Sequence, residues 1–259
     1  MLVAPTSPTL AIVIAGFLPL IASYIFATTK ATEVSAGVSQ LARTGALRDL
    51  KGGWTAFSSR PWIWSIDLQF AIWHLVTYAP IIALGPLVAK EYYHGASGWA
   101  AILAALAVGG LIGGVVAFRS VAKHPLRLSI GSLVLMAPFP AALGLHLSLG
   151  WVALTSLLAG AGLEYSGAPY SFSVQAHVPR EVISRVSSFD YLASVGLLPV
   201  GYVLAVPLAH LLSLVTLFII GAVYTLFSAI IILSVRSVWN LPPLAAHKFL
   251  TKLECEPRL

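Results

Sequence analysis

The chain has a single cysteine, few charged side chains and no lysine within any of its long apolar runs. One thiol, Cys255, allows no internal disulfide, and no cysteine–histidine spacing suits a metal ion. Only 9% of residues are charged and 58% are hydrophobic, against about 25% charged in a soluble domain. That balance excludes an ordinary soluble fold. Without a lysine in a run there is no site for a retinal Schiff base. The runs also lack the period-two alternation of barrel strands. Lipid offers backbone groups no partners, so apolar runs that cross a bilayer must be helices. No basic segment precedes the first run, and its positive charge follows it at Lys30, which is the reverse of a signal peptide.

What is present is a series of seven apolar runs, at 9–28, 62–89, 98–118, 128–148, 151–173, 188–212 and 214–235. Each is close to the ~20 residues that cross a ~30 Å hydrocarbon core. The expected fold is an all-α membrane protein with seven transmembrane helices. It divides into a first helix over 1–29, a cytoplasmic linker over 30–61, a six-helix bundle over 62–236 and a cytoplasmic tail over 237–259. Fourteen of the 15 Lys and Arg residues fall in alternate gaps, the exception being Lys90, offset by Glu91. The positive-inside rule then predicts a multi-pass protein of the cell membrane with its N-terminus outside and its C-terminus in the cytoplasm. The formal charge of +6 lies along one membrane face, where it suits anionic lipid heads rather than nucleic acid.

Short gaps at 90–97, 119–127, 149–150 and 213 predict antiparallel neighbours. The longer gap 174–187, with Pro179-Arg180-Glu181, predicts a short helix at the interface. In the linker, Leu47, Leu50, Trp54 and Phe57 recur at spacings of three and four. That period predicts an amphipathic surface helix, with Gly52-Gly53 as its interruption. Gly109 with Gly113, Gly110 with Gly114, and Gly162 with Ser166 place small residues one turn apart, where helix backbones can approach closely. Pro80, Gly85 and Pro86 predict a kink in the second helix, and Pro199 and Gly201 one in the sixth. Trp62, Trp64, Trp99, Trp151 and Trp239 lie near run ends and are expected as interfacial anchors.

Intramembrane acids are costly and mark candidate sites. Asp67 and Asp190 are only ~8 Å beyond the starts of their helices, a depth that suits an interfacial ion pair or a favourable charge at a helix N-terminus. Glu164, at ~13 Å, is the deepest acid; it faces a water-filled cavity or is a buried, hydrogen-bonded structural residue. Trp64, Asp67, Ala71, His74 and Tyr78 recur at helical spacing on one face. His74, near mid-span, is a packed histidine or part of a cavity wall.

Three passages carry a family resemblance. Leu50-Lys51-Gly52-Gly53-Trp54 followed by Ser59-Arg60-Pro61-Trp62 resembles the end of a central cytoplasmic loop and the entry to a seventh helix. Gln175-Ala176-His177-Val178-Pro179-Arg180-Glu181, with Arg185, Ser188 and Asp190, resembles the loop between tenth and eleventh helices. Leu198-Pro199-Val200-Gly201 resembles the kink in the eleventh. With the order of spans, these make the chain similar to the C-terminal half of a major facilitator superfamily exporter, of the enterobactin-exporter-like and macrolide-efflux-like branch. At the loop 119–127, where the family repeats an acidic–basic signature, Gly113, Gly114, Arg119 and Lys123 fit but the aspartate is absent, and Tyr170 stands where the branch has tryptophan. No residue identity links spans two to four with spans five to seven, so an inverted repeat is not legible.

The resemblance implies that the first span is a sixth helix, with five more helices encoded upstream. It implies proton-coupled efflux of a small amphipathic molecule, without a cofactor or a metal. The second, third, fifth and sixth spans would line the cavity, with Trp64, Asp67, His74, Tyr78, Glu164 and Tyr191 as cavity or coupling candidates. Arg119, Arg185 and Asp190 are the candidates for a cytoplasmic gate. The expected partners are membrane lipids, the small-molecule substrate, and a matching N-terminal half or a second copy. Two other readings compete with this one. A truncated remnant would not transport. A rhomboid-like serine protease would use Ser97 of Gly95-Ala96-Ser97-Gly98 with His210, but its serine would have to sit on a fourth core helix.

Overall fold

The computed structural model describes residues 46–120 and 124–241, together with Phe17, Leu20, Ser23, Tyr24 and Thr28. Most of the expected first span, Lys30, Arg43, Lys123 and the tail with Cys255 lie outside the described residues. Contacts divide the chain into Met1–Gly52 and Gly53–Leu259, a boundary inside the stretch expected as linker. In the first unit the five isolated residues are helical, and Thr28 Oγ1 donates to the Tyr24 carbonyl.

Among the described residues there are helices and no strand. Helix α1, Ala46–Ser58, matches the predicted amphipathic period, and Gly52-Gly53 does not interrupt it. From Gly53 onward its reason is visible. A Cβ on Gly53 would lie 2.9 Å from the Phe189 ring, so glycine admits that ring against Phe57 and Trp54, with centroids 6.0 and 5.7 Å away.

Among the described residues, five helices are long and apolar enough to cross a membrane: α2 Pro61–Tyr92, α3 Ala96–Arg119, α4 Pro125–Gly144, α6 Ile183–Leu212 and α7 Leu214–Ser234. Helix α5, Leu149–His177, has 29 residues but is not one of the five; glycines, serines and Glu164 dilute its apolar content. The short α8, Arg236–Trp239, follows. The expected interfacial helix at 179–181 is absent. Instead α5 runs on to His177, with Val178 N–H still bonded to the Val174 carbonyl at 2.9 Å, and a turn leads straight into α6.

Side-chain contacts give the direction of each helix pair. Asp67 meets Asp190, His74 meets Ser194, and Gly201 meets Leu75 and Ala79, so α2 and α6 run parallel. Gly109 lies on Leu157, Gly113 on Ala161, and Ser156 Oγ donates to the Ile102 carbonyl, so α3 and α5 also run parallel. Gln69 with Ser228 and Thr77 with Gly221 make α2 and α7 antiparallel. Ser129 with Ser166 and Ser132 with Gly162 do the same for α4 and α5. The third helices, α4 and α7, pack on each other, with Gly144 against Phe218.

This pairing has an internal symmetry. Exchanging α2-α3-α4 with α5-α6-α7 maps the α2–α6 pair onto α5–α3, the α2–α7 pair onto α5–α4, and the α4–α7 pair onto itself. The two triplets run in opposite directions, so these three pairings are inverted. The sequence concealed this because helix packing needs small or apolar contact residues and not identical ones.

The alternating directions gather Arg60, Arg119, Arg127, Arg180, Arg185 and Arg236 at one end of the bundle, while Lys90 and Glu91 lie at the other. The tryptophans expected as anchors divide. Trp64, Trp151 and Trp239 are exposed, but Trp62 is 6% exposed and packs edge-on against Tyr170 and His177. Trp99 fills the space that a side chain at Gly85 would take, so Gly85 serves a contact rather than a kink.

Candidate functional site

Asp67 sits six positions beyond Pro61 in α2, about 9 Å along the axis, and is 2% exposed. Its side chain meets the Asp190 carboxyl of α6. Asp190 Oδ1 accepts the phenol hydrogen of Tyr170, from α5, at 2.5 Å. Asp67 Oδ2 has no donor among the described residues, which accords with its side chain meeting another acid. Three helices therefore place Asp67, Asp190 and Tyr170 at one level, toward the arginine-bearing end. The expectation of an interfacial ion pair for Asp67 is corrected, because its partner is a like group. Trp62 stacks its edge on Tyr170, with centroids 6.2 Å apart, and on His177, at 6.4 Å. That indole lies between the acids and the helix ends.

Two turns further along α2 the helix widens. His74–Tyr78 form a π-helical turn, with Ala79 N–H reaching back to the His74 carbonyl. Pro80 is the cause within the sequence: it lacks an N–H, so the Val76 carbonyl has no normal donor. Two glycines clasp this turn, Gly201 against Leu75 and Gly221 against Val76 and Thr77. Of the positions expected to kink α2, Pro80 is the one that disturbs the helix, in the turn before it. In α6 the break comes at Gly196-Leu197, and Pro199 opens the second segment.

His74 bridges the two irregular places. Its Nδ1 lies 2.9 Å from the Phe70 carbonyl and 2.9 Å from the Ser194 carbonyl. Both partners are acceptors, so Nδ1 carries the hydrogen and shares it. The Tyr78 and Trp73 rings stand 5.5 and 5.2 Å from the imidazole. This is a histidine held in the helix interface of α2 and α6, half-buried beside the acid cluster's helix pair.

A polar seam joins α2 to α7. Gln69 Nε2 donates to Ser228 Oγ at 3.2 Å, Trp73 Nε1 to Thr225 Oγ1 at 3.1 Å, and Thr77 Oγ1 to the Gly221 carbonyl at 3.1 Å. Tyr224 Oη closes it on the Gln69 carbonyl at 2.8 Å. A small pocket lined by Gln69, Phe70, Trp73, Leu133, Met136 and Thr225 adjoins it. Sequence reasoning passed over this seam, though Gly221, Thr225 and Ser228 mark one polar stripe on an otherwise apolar helix. It also passed over Tyr170 as a partner for an acid, for which no spacing signal exists.

The remaining candidates are not brought to the acids. Trp64 and Tyr191 are 42% and 70% exposed. Glu164 is exposed on α5, its Cγ facing Gly110 of α3. Arg119 is exposed and Arg185 half-buried. Ser97 gives its hydrogen to the His94 carbonyl at the opening of α3, and His210 is exposed in the last turn of α6. No three His, Cys, Asp or Glu side chains cluster as a metal site among the described residues.

No family model, curated protein or solved structure matches this chain.

Proposed function

We propose that the helices over 61–234 form one bundle of a facilitator-type transporter that exports a small amphipathic molecule in exchange for protons. The observation that carries this reading is the inverted pairing of α2-α3-α4 with α5-α6-α7. Inverted repeats are a common construction of secondary transporters, whose bundles rock about a site between them. The resemblance of the segments 50–62, 175–190 and 198–201 to facilitator-type exporters points the same way. In this reading α5, despite its polar content, crosses the membrane beside α3, and the span over 9–28 makes a seventh. The arginine-bearing end faces the cytoplasm by the positive-inside rule.

The exposed faces support a second bundle as partner. In its most apolar window α6 is only 11% buried, and it presents Tyr191, Leu192, Val203 and Leu211 outward. Polar or irregular positions on that helix lie beside the acids, as expected of a cavity wall. Transport then requires an opposing wall. Purified chain in liposomes loaded with an amphipathic cationic dye should show no flux under an imposed proton gradient. Flux should appear on co-expression with a matching N-terminal half. Gradient-driven flux from the lone chain would replace this reading with a working homodimer, and no flux in either preparation would remove the transport reading.

A further inference from the structure

The acid cluster has one hydrogen too few. Tyr170 gives its only hydroxyl hydrogen to Asp190 Oδ1. Asp67 is 2% exposed, its Oδ2 has no donor among the described residues, and the side chain it meets is the Asp190 carboxyl. Two ionised carboxylates held together away from water repel each other. One proton between them converts the repulsion into a charge-assisted hydrogen bond. A metal cation would suit the place poorly, since hard cations gather six or more oxygens and the phenol hydrogen already points at Asp190.

We propose that Asp67 and Asp190 form a proton-binding site, holding one exchangeable proton between α2 and α6. The proton enters and leaves through Asp190, which is half-buried, while Asp67 is enclosed. Tyr170 keeps the remaining charge on Asp190 oriented. With the proton present, a hydrogen bond ties α2 to α6; without it, two like charges press the helices apart. The other titratable or charged groups near the pair are His177 of α5, behind Trp62, Arg185 earlier on α6, and Tyr224 of α7, bonded to the α2 backbone. Only the use of this proton to drive export rests on the transporter reading; the site itself does not.

The test is infrared spectroscopy of the full chain in lipid vesicles during a pH titration. A carbonyl band of protonated carboxylic acid, equivalent to about one group per chain, is expected to persist at neutral pH. Isotopic labelling of aspartate carboxyls should shift that band. It should vanish in Asp67→Asn and Asp190→Asn, move in frequency in Tyr170→Phe, and stay in Glu164→Gln. The labelled wild-type chain decides the matter even if an Asn variant fails to fold. Absence of the band at neutral pH, insensitivity to aspartate labelling, or its loss when sodium replaces choline at constant pH would overturn the proposal, the last in favour of a metal-cation site. A band without dye flux in the assembled transporter leaves the site and sinks the transport reading; flux without the band does the reverse.

Discussion

Gly113 lies so close to Ala161 that a methyl group on its Cα would sit 2.1 Å from the Ala161 carbonyl oxygen. Gly109 stands in the same relation to Leu157, at 1.9 Å, and Gly160 to Leu106, at 2.0 Å. Helices α3 and α5 therefore meet backbone to backbone, which is how small residues drive helix association where lipid removes the hydrophobic incentive. Gly114, next to Gly113 in sequence, has nothing within 4 Å of its missing Cβ.

That contrast sets a prediction. Gly113→Ala should destabilise the bundle by ~1–3 kcal/mol, because a backbone carbonyl cannot step aside as a side chain can. Gly114→Ala should be neutral or stabilising, since alanine is the better helix former by ~1 kcal/mol. Unfolding in mixed detergent, followed by circular dichroism, separates the two. Equal effects would mean that the α3–α5 contact is looser than described.

The α2–α7 seam predicts measurable but modest coupling. In a double-mutant cycle of Gln69→Ala with Ser228→Ala, the interaction should come out near the ~0.6 kcal/mol typical of such bonds in membranes. Thr225→Val removes the acceptor of the buried Trp73 indole, and should cost more than Thr155→Val, whose hydroxyl bonds only within its own helix. The same unfolding assay reads both, and additivity in the cycle would argue that Gln69 and Ser228 do not meet.

Trp62 and Trp151 make opposite predictions from similar sequence positions. Trp62→Ala should cost on the order of 3 kcal/mol, because it leaves a cavity against Tyr170 and His177. Trp151, 60% exposed, should lose much less on the same change. Quenching by brominated lipid should reach Trp151 and spare Trp62 when each is kept as the sole tryptophan.

Topology has a direct check. With Cys255 replaced by serine, single cysteines at Arg180 and Arg236 should react with an impermeant maleimide only after the cell is opened. Cysteines at Glu91 and His94 should react from outside. The opposite result would invert the orientation drawn from the arginine distribution.

Helix positions were legible in the sequence because length and apolarity are local properties. The run at 62–89 became Pro61–Tyr92 and the run at 214–235 became Leu214–Ser234, each within a turn at either end. The amphipathic period from Leu47 to Phe57 was likewise enough to place α1. The turn at 178–182 is not legible in the sequence, because its proline and charges suit an interfacial helix as well as a loop, and only the continued hydrogen bonding of α5 distinguishes them.

The solvent was legible in the sequence: there are too few charges and too many long apolar runs for an ordinary soluble fold. Tertiary structure alone decided which side chains lie inside. Trp62 and Trp64 share one signal and differ in burial, because a helix face acquires meaning only from the helix packed against it. Asp67 and Asp190 are far apart in the chain and meet because α2 and α6 run parallel in register. The inverted pairing of α2-α3-α4 with α5-α6-α7 was hidden for the same reason: it rests on the geometry of packed helices, while the side chains that make each contact are free to differ.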